Sequence, residues 1–259
     1  MSATFVSTNV CALDSWARAS DLSTDEDARI KRIAAACKEV GADVIQANEL
    51  VTYQNAEVFS RAMGWGGRLA MEKDADGEYN GKIDVSVKDA SAILKGSGHV
   101  GVAQGFIWNP DIFQWFQLKE EVTYPGWSRN KYAVAGRGYL EGKRVGLASV
   151  HFEFMPYGTN NIKRYDDIRY EQMDCLLDKV QRSASQSWIV LGDQNHSKND
   201  KPDAPGNAAK KHGLVNVDTG NIIRSQMTKD IKHGTPRMVK LGSATDHPML
   251  VIPNVTVPA

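Results

Sequence analysis

Asp193 and Asn195 stand two residues apart in the stretch Trp188-Ile189-Val190-Leu191-Gly192-Asp193-Gln194-Asn195-His196. An aspartate can take a proton from water or hold a metal ion. An asparagine amide can donate a hydrogen bond to an anionic oxygen. The apolar run before Gly192 is bounded by a turn signal and predicts a buried strand. Gly192 is expected to let the backbone bend where that strand ends. Asp193 and Asn195 would then lie at the rim of a sheet, where working side chains are usually placed. The chemistry this points to is hydrolysis at a phosphate. The plainer alternative is a strand-ending turn in which Asp and Asn bond their own backbone.

Other polar residues stand at the ends of apolar runs: Asn9, Glu49, His151, and Asp246 with His247. The elements that must position them can be read in order. Thr4 to Val10 alternates loosely, is rich in β-branched residues and reads as a first strand ending at Asn9. Ser23-Thr24-Asp25-Glu26 is a capping-box pattern, followed by Ile30, Ile33, Cys37 and Val40 at helical spacing and a stop at Gly41. Asp43 to Leu50 reads as a strand and Asn55 to Met63 as a short helix. Met71 to Ser97 is polar and turn-rich; Asp74-Ala75-Asp76-Gly77 there is better read as a hairpin loop than as a calcium loop, since the later ligands are missing.

Strands are expected over His99 to Trp108 and Phe113 to Leu118. A hairpin over Tyr132 to Leu140 and Arg144 to Phe152 turns at Glu141-Gly142-Lys143. Tyr165 to Arg182 reads as a helix, His196 to Lys211 as a long polar loop, Leu214 to Val217 as a short strand and Met249 to Ile252 as a last buried strand. Residues 220 to 242 match no clear pattern. With no repeat or linker visible, one domain over residues 1–259 is expected, with mixed sheets packed between helices.

The totals narrow the class. Apolar residues (42%) and charged residues (24%) are those of an ordinary globule and argue against disorder. Lys+Arg and Asp+Glu are equal at 31, so bulk charge names no partner. No apolar run approaches the roughly 20 residues of a membrane helix. Met1 to Val10 lacks the pattern of a secretory leader, so a cytoplasmic location is expected. Cys11, Cys37 and Cys175 have no metal-type spacing and are odd in number, which fits buried thiols in a reducing compartment better than disulfides. No obligate protein partner is implied.

In this order the strand-end residues resemble the endonuclease/exonuclease/phosphatase superfamily, the DNase I-like fold. The motifs are Asn9-Val10, Asp43-Val44-Ile45-Gln46-Ala47-Asn48-Glu49, Val150-His151-Phe152, Gly192-Asp193-Gln194-Asn195 and Thr245-Asp246-His247. Gly101-Val102-Ala103 and Arg169-x-x-Gln172 match as well. The resemblance spans nearly the whole chain. It implies a four-layer α/β (α+β) sandwich, two packed mixed β-sheets flanked by helices. It also implies a divalent ion, Mg²⁺ or Mn²⁺, held by Glu49 with Asn9 and Asp246. Asp193 would orient or deprotonate the attacking water. Asn195 and His247 would stabilise the pentacovalent phosphorus. Asp246 would bind metal or hold a neighbour, and His151 could protonate the leaving oxygen.

Four departures matter. Gln194 replaces the usual Phe, and Thr245 the usual Ser. Cys11 stands where some members carry a second acidic ligand. No acidic residue is found in a strand shortly before the last motif, where members orient the final His; Asp230 is a poor candidate. Members cleave nucleic acids, sugar and inositol phosphates, and sphingomyelin. From His196 to Lys240, nine Lys/Arg face four Asp, which would suit a phosphate backbone or simply a solvated loop. Trp127 and Tyr132, near Arg129 and Lys131, could stack on bases. The expected activity is a metal-dependent phosphodiesterase, most readily a DNA nuclease. A phosphatase on a small phosphorylated metabolite or lipid head group, and a silent member that only binds, stand as alternatives.

Overall fold

A computed structural model describes residues 2–10, 25–50, 53–70, 90–96, 103–124, 132–154, 161–181, 187–197, 199–217 and 220–258. The layering follows from the alternation of side chains along each strand. In β1 (Ala3–Asn9) and β2 (Val44–Leu50), Phe5 and Val44 face one core while Val6 and Ile45 face another. In β8 (Lys143–His151) and β9 (Ser187–Asp193), Leu147 and Ile189 join the first core, and Ala148 and Val190 enter a third.

Two mixed sheets result. β3 (Arg68–Leu69), β4 (Ala90–Gly96), β5 (Ala103–Trp108), β12 (Arg237–Val239) and β13 (Met249–Val255) complete the first, ordered β12-β13-β1-β2-β5-β4-β3. The second is ordered β10-β11-β9-β8-β7-β6, with β6 at Phe113–Thr123, β7 at Tyr132–Leu140, β10 at Leu214–Asn216 and β11 at Ile223–Thr228. β1 and β2 run parallel, as do β8 and β9, so these four strands deliver their C-terminal ends to one side of the sandwich. Between the sheets lies a core that includes four interlocked aromatic rings, Phe106, Trp108, Phe113 and Trp115.

Helices cover the outer faces. α1 (Glu26–Glu39) and α2 (Tyr53–Met63) pack on the first sheet through Ile30, Ile33, Cys37, Ala56 and Phe59. Burial pushes the Cys37 thiol far above its ordinary range, as expected of an inert core cysteine. α3 (Ile162–Gln181) and α4 (Ala204–Lys211) cover the second sheet through Met173, Leu176, Leu177, Ala208 and Ala209. The architecture is the four-layer sandwich expected from the motifs.

Several elements differ from the sequence reading. The cap of α1 is Asp25, whose side chain accepts from Ala28 N; Ser23 and Thr24 lie outside the described residues. α4 forms where a loop was expected. Its small residues give no strong apolar stripe, and Pro205 and Gly206 read as breakers. Yet Pro suits the first helical turn, and Asp203 caps it by accepting from Gly206 N at 3.1 Å. β11 and β12 form within residues 220–242, and β4 within the segment read as polar and turn-rich. Asp74 to Gly77, Cys11, Trp127, Arg129 and Lys131 lie outside the described residues.

Candidate active site

Inner-face side chains change character along each strand toward the C-terminal ends of β1, β2, β8 and β9. On β1 the inward sequence is Phe5, Ser7, Asn9; on β2 it is Val44, Gln46, Asn48; on β8 it is Leu147, Ser149, His151; on β9 it is Ile189, Leu191, Asp193. On β1, β2 and β8 hydrocarbon gives way to hydroxyls and an amide, then to the polar residues of the rim; β9 stays hydrocarbon through Leu191 and turns polar at Asp193. The middle tier is a buried chain of hydrogen bonds across the two sheets. Ser7 Oγ donates to Gln46 Oε1 (2.6 Å), Gln46 Nε2 to Ser149 Oγ (2.9 Å), and Ser149 Oγ to Gln104 Oε1 (3.3 Å). Each of these groups is buried and must be paired to remain so.

Above that tier, Asn48 is fully buried and joins the strand ends. Its Nδ2 donates to Val150 O (3.0 Å) and Gln104 Oε1 (3.2 Å), and its Oδ1 accepts from Asp193 N (2.9 Å). Asn48 was not singled out from the sequence. The available signal was its parity: it shares the inward face with Val44 and Gln46, where an apolar residue would be the default.

Glu49 follows with φ 58°, and the β2–β5 register shifts between Ala47 and Leu50. Such an irregularity re-aims a side chain, and here it places the Glu49 carboxylate over the inward face. Asn9 Nδ2 donates to Glu49 Oε1 (2.9 Å) and to Asp193 Oδ2 (3.0 Å), so one amide nitrogen stands between the two carboxylates. His151 Nε2 lies 3.6 Å from Glu49 Oε1. Asp193 is 1% exposed, and its Oδ1 accepts from Asn195 N (2.8 Å). Asn195 has φ 49°, a left-handed turn that asparagine tolerates, and its Nδ2 donates to Phe152 O (3.0 Å). Thus Asn9, Glu49, His151, Asp193 and Asn195 form one connected set.

Gly192, one residue before the end of β9, has φ 145°, a backbone conformation that residues with a side chain rarely adopt, in keeping with the freedom expected of it. It lies within β9, and a Cβ at this position would stand 1.9 Å from Val150 O on β8. The glycine is therefore required both by its dihedral angle and by close approach of the neighbouring strand.

Asp246 and His247 reach this region through the backbone. Thr245 Oγ1 donates to Asn9 O (2.6 Å), and His247 N donates to Thr245 Oγ1 (3.3 Å). Thr245 thus supplies the hydroxyl that a Ser would. Asp246 Oδ1 lies 3.5 Å from His247 Nε2, with both side chains partly exposed. The strand that precedes the last motif, β11, places Ile223 opposite Asp193. Asp230 accepts from Ser187 Oγ at the far end of β9, remote from His247 in the sheet. Asp246 is therefore the acidic neighbour that the structure gives His247.

Gln194, where an aromatic was expected, is fully buried and pairs reciprocally with Gln226 (2.6 and 3.0 Å), whose Nε2 also donates to Asn216 Oδ1 (3.1 Å). His196, which opens the segment read as a long polar loop, is 1% exposed, with Nε2 3.2 Å from Asp166 Oδ1. The basic segment is not one patch at the site. Arg224 is buried and bidentate to Asp203 (2.7 and 3.0 Å), Lys211 pairs with Asp174 (2.9 Å), and Lys229 follows β11 at the end away from the site. Lys201, Arg237 and Lys240 are exposed cations. Burial pushes the Asp203 carboxyl up, but Arg224, Gly206 and Asn216 together hold it below its ordinary value.

Among the described residues no three His, Cys, Asp or Glu side chains stand together as a metal cluster. The donor set is one carboxylate, Glu49, with the Asn9 amide beside it. That chemistry fits Mg²⁺, which is commonly held by one or two carboxylates with water and substrate phosphate completing the sphere. Among the described residues no helix is long and apolar enough to cross a membrane.

No family model matches the sequence, and no curated protein matches it. Solved structures do. An endonuclease/exonuclease/phosphatase family protein from Bacteroides thetaiotaomicron superposes with a TM-score of 0.70 at 11% identity, covering 100% of this chain and 99% of that one. A mannosyl-6-phosphatase from the same organism gives 0.68 at 12% identity, covering 98% and 100%. TDP2 from D. rerio, complexed with a single-strand DNA product, gives 0.62 at 12% identity, covering 96% and 97%. The chain has the fold of the endonuclease/exonuclease/phosphatase superfamily, the DNase I-like sandwich.

Proposed function

We propose that this chain is a metal-dependent phosphoester hydrolase acting on nucleic acid, DNA in the first instance. The observation that carries the reading is the Asn9 amide standing between Glu49 and Asp193, residues contributed by both sheets. A divalent ion, Mg²⁺ or Mn²⁺, held by Glu49 with Asn9 and Asp246 nearby, would polarise a phosphate oxygen and offset developing charge.

The protein groups do the rest. Asp193 takes the proton of the attacking water, while Asn9 and the Asn195 backbone fix the orientation of its carboxylate. The Asn195 side-chain nitrogen carries two hydrogens. One is used on Phe152 O and the other is offered to a phosphate oxygen. His247 supplies a second donor to the phosphorus oxygens. As the bond from phosphorus to the leaving oxygen breaks, His151 gives that oxygen a proton.

Support for nucleic acid comes from the match to TDP2 with its DNA product and from the exposed Lys201, Arg237 and Lys240. A phosphatase acting on a sugar phosphate is the second reading, favoured by the match to the mannosyl-6-phosphatase. Plasmid nicking with Mg²⁺, with Mn²⁺ and with EDTA, beside hydrolysis of a sugar phosphate, tests both. Metal-dependent nicking that Asp193→Ala abolishes is expected. Sugar-phosphate turnover without nicking would move the assignment to the second reading, and near-normal nicking by Asp193→Ala would refute the mechanism.

A further inference from the structure

Past His151 the chain leaves β8 along a short strap whose backbone is tied at every polar group. Phe152 N donates to Asp193 O (2.9 Å), and Phe152 O accepts from Asn195 Nδ2 (3.0 Å). Glu153 N donates to Gln172 Oε1 (3.0 Å), and Glu153 O accepts from Arg169 Nε (2.9 Å). Arg169 and Gln172 are themselves buried, 5% and 1% exposed, on α3. The strap is therefore fixed from the site side by Asp193 and Asn195, and from the helix side by two locked side chains.

This rigid strap leads directly to Phe154, which is 46% exposed. Phe154 is the one aromatic residue among the large apolar side chains left exposed in the described residues; the others are Ile162 and Val215. An exposed Phe on a loose loop would need no explanation. One whose preceding backbone is clamped three residues beyond His151 is different, because little conformational freedom remains to be lost when a flat ring settles on it.

Resting on the hydrolase reading above, we propose that Phe154 is a specificity residue. It stacks on the nucleobase next to the phosphate being cleaved, and so favours base-bearing phosphodiesters over aliphatic phosphate esters. Base–aromatic stacking needs only a π-face and tolerates any base sequence. The favoured substrate is a strand whose bases are unstacked and accessible, and the preference carries no base identity.

The test compares a single-stranded oligodeoxynucleotide with the same sugar–phosphate backbone lacking bases. Both binding, by fluorescence anisotropy in EDTA, and Mg²⁺-dependent cleavage are measured. The wild-type chain is expected to prefer the base-bearing strand. Phe154→Ala should lower that preference about tenfold, through affinity or KM rather than kcat, and Phe154→Trp should keep it. Because the side chain is exposed, neither variant threatens folding. A wild type that treats the two strands alike, or a Phe154→Ala variant with the wild-type preference, overturns the inference. If binding shows the preference while neither strand is cut, the inference stands and the hydrolase reading falls. If a sugar phosphate is hydrolysed and neither strand binds, the hydrolase reading stands and the inference falls.

Discussion

The side-chain nitrogen of Asn9, on the first sheet, lies 3.0 Å from Oδ2 of Asp193, on the second. The same nitrogen holds Glu49 at 2.9 Å. Replacing Asn9 with Ala leaves two carboxylates facing each other without the donor that reconciles them. Partners of this kind typically change metal affinity or activity by about 10- to 100-fold. Asn9→Ala should therefore need that much more Mg²⁺ for half-maximal turnover, or lose that much rate. Asn9→Asp, which adds a third negative group, should be worse. A Mg²⁺ titration of cleavage rates gives the answer, and an unshifted midpoint with full rate in both variants would count against the site.

Asn195 offers a donor that the fold has already oriented, with its amide anchored on Phe152 O. Loss of one preorganised donor at an oxyanion costs about 10²–10³ in kcat. Asn195→Ala should fall in that range with KM little changed, as single-turnover and steady-state kinetics would show. An effect confined to KM would place Asn195 in ground-state binding instead.

Arg224 and Asp203 form a second interior pair that ties β11 to the cap of α4. Removing one partner of a buried pair is costly, about 3–5 kcal/mol, so Arg224→Met should lower the urea midpoint markedly. The sign with pH follows from the lowered Asp203 carboxyl. Its contribution is fully present above the ordinary carboxylate value of about 4 and is lost as pH falls through the lowered folded-state value. Asp203→Asn should flatten that part of the acid limb in urea titrations from pH 7 down to pH 2. An unchanged limb would show that the pair contributes nothing there.

Gln194 and Gln226 exchange two hydrogen bonds in a fully buried position. Gln194→Phe alone restores the residue usual at this point of the motif but takes from Gln226 Oε1 the donor that Gln194 supplies, leaving Gln226 Nε2 on Asn216. The cost of an unsatisfied buried amide is about 1–3 kcal/mol. Gln194→Phe with Gln226→Leu should recover part of the loss, and a double-mutant cycle in urea would reveal the coupling. Additive losses would mean that the two amides act independently.

The strands that carry the site residues were readable because each is an apolar run ending at polar or turn residues, and α1 and α3 carry apolar stripes, whereas β4, β11 and β12 were not read. The convergence of Asn9, Glu49, His151, Asp193 and Asn195 was inferred from motif order, and geometry supplied what order cannot. The re-aiming of Glu49 depends on a register shift with β5, a long-range event with no local signature. α4 was hidden because alanine-rich turns satisfy helical geometry without showing a stripe. The nine basic residues looked like a patch because linear neighbours were counted together, whereas Arg224 is buried against Asp203, Lys211 is paired with Asp174, and Lys229 follows β11 at the end away from Asp193. Gln46 and Asn48 were visible only to an argument about parity: polar residues on the face of a strand where a core would be built.

That tiered interior also fixes where the molecule yields first. Toward the base, the space between the sheets is filled with Phe106, Trp108, Phe113 and Trp115; toward the rim it is spanned by amides and hydroxyls that water can replace one for one. Thermal breathing should begin at the rim, and amide hydrogens of the outer strand ends should exchange well before those at the aromatic end. A substrate bridging both sheets would then act as a clasp, slowing exchange most at the margin where the free protein is softest.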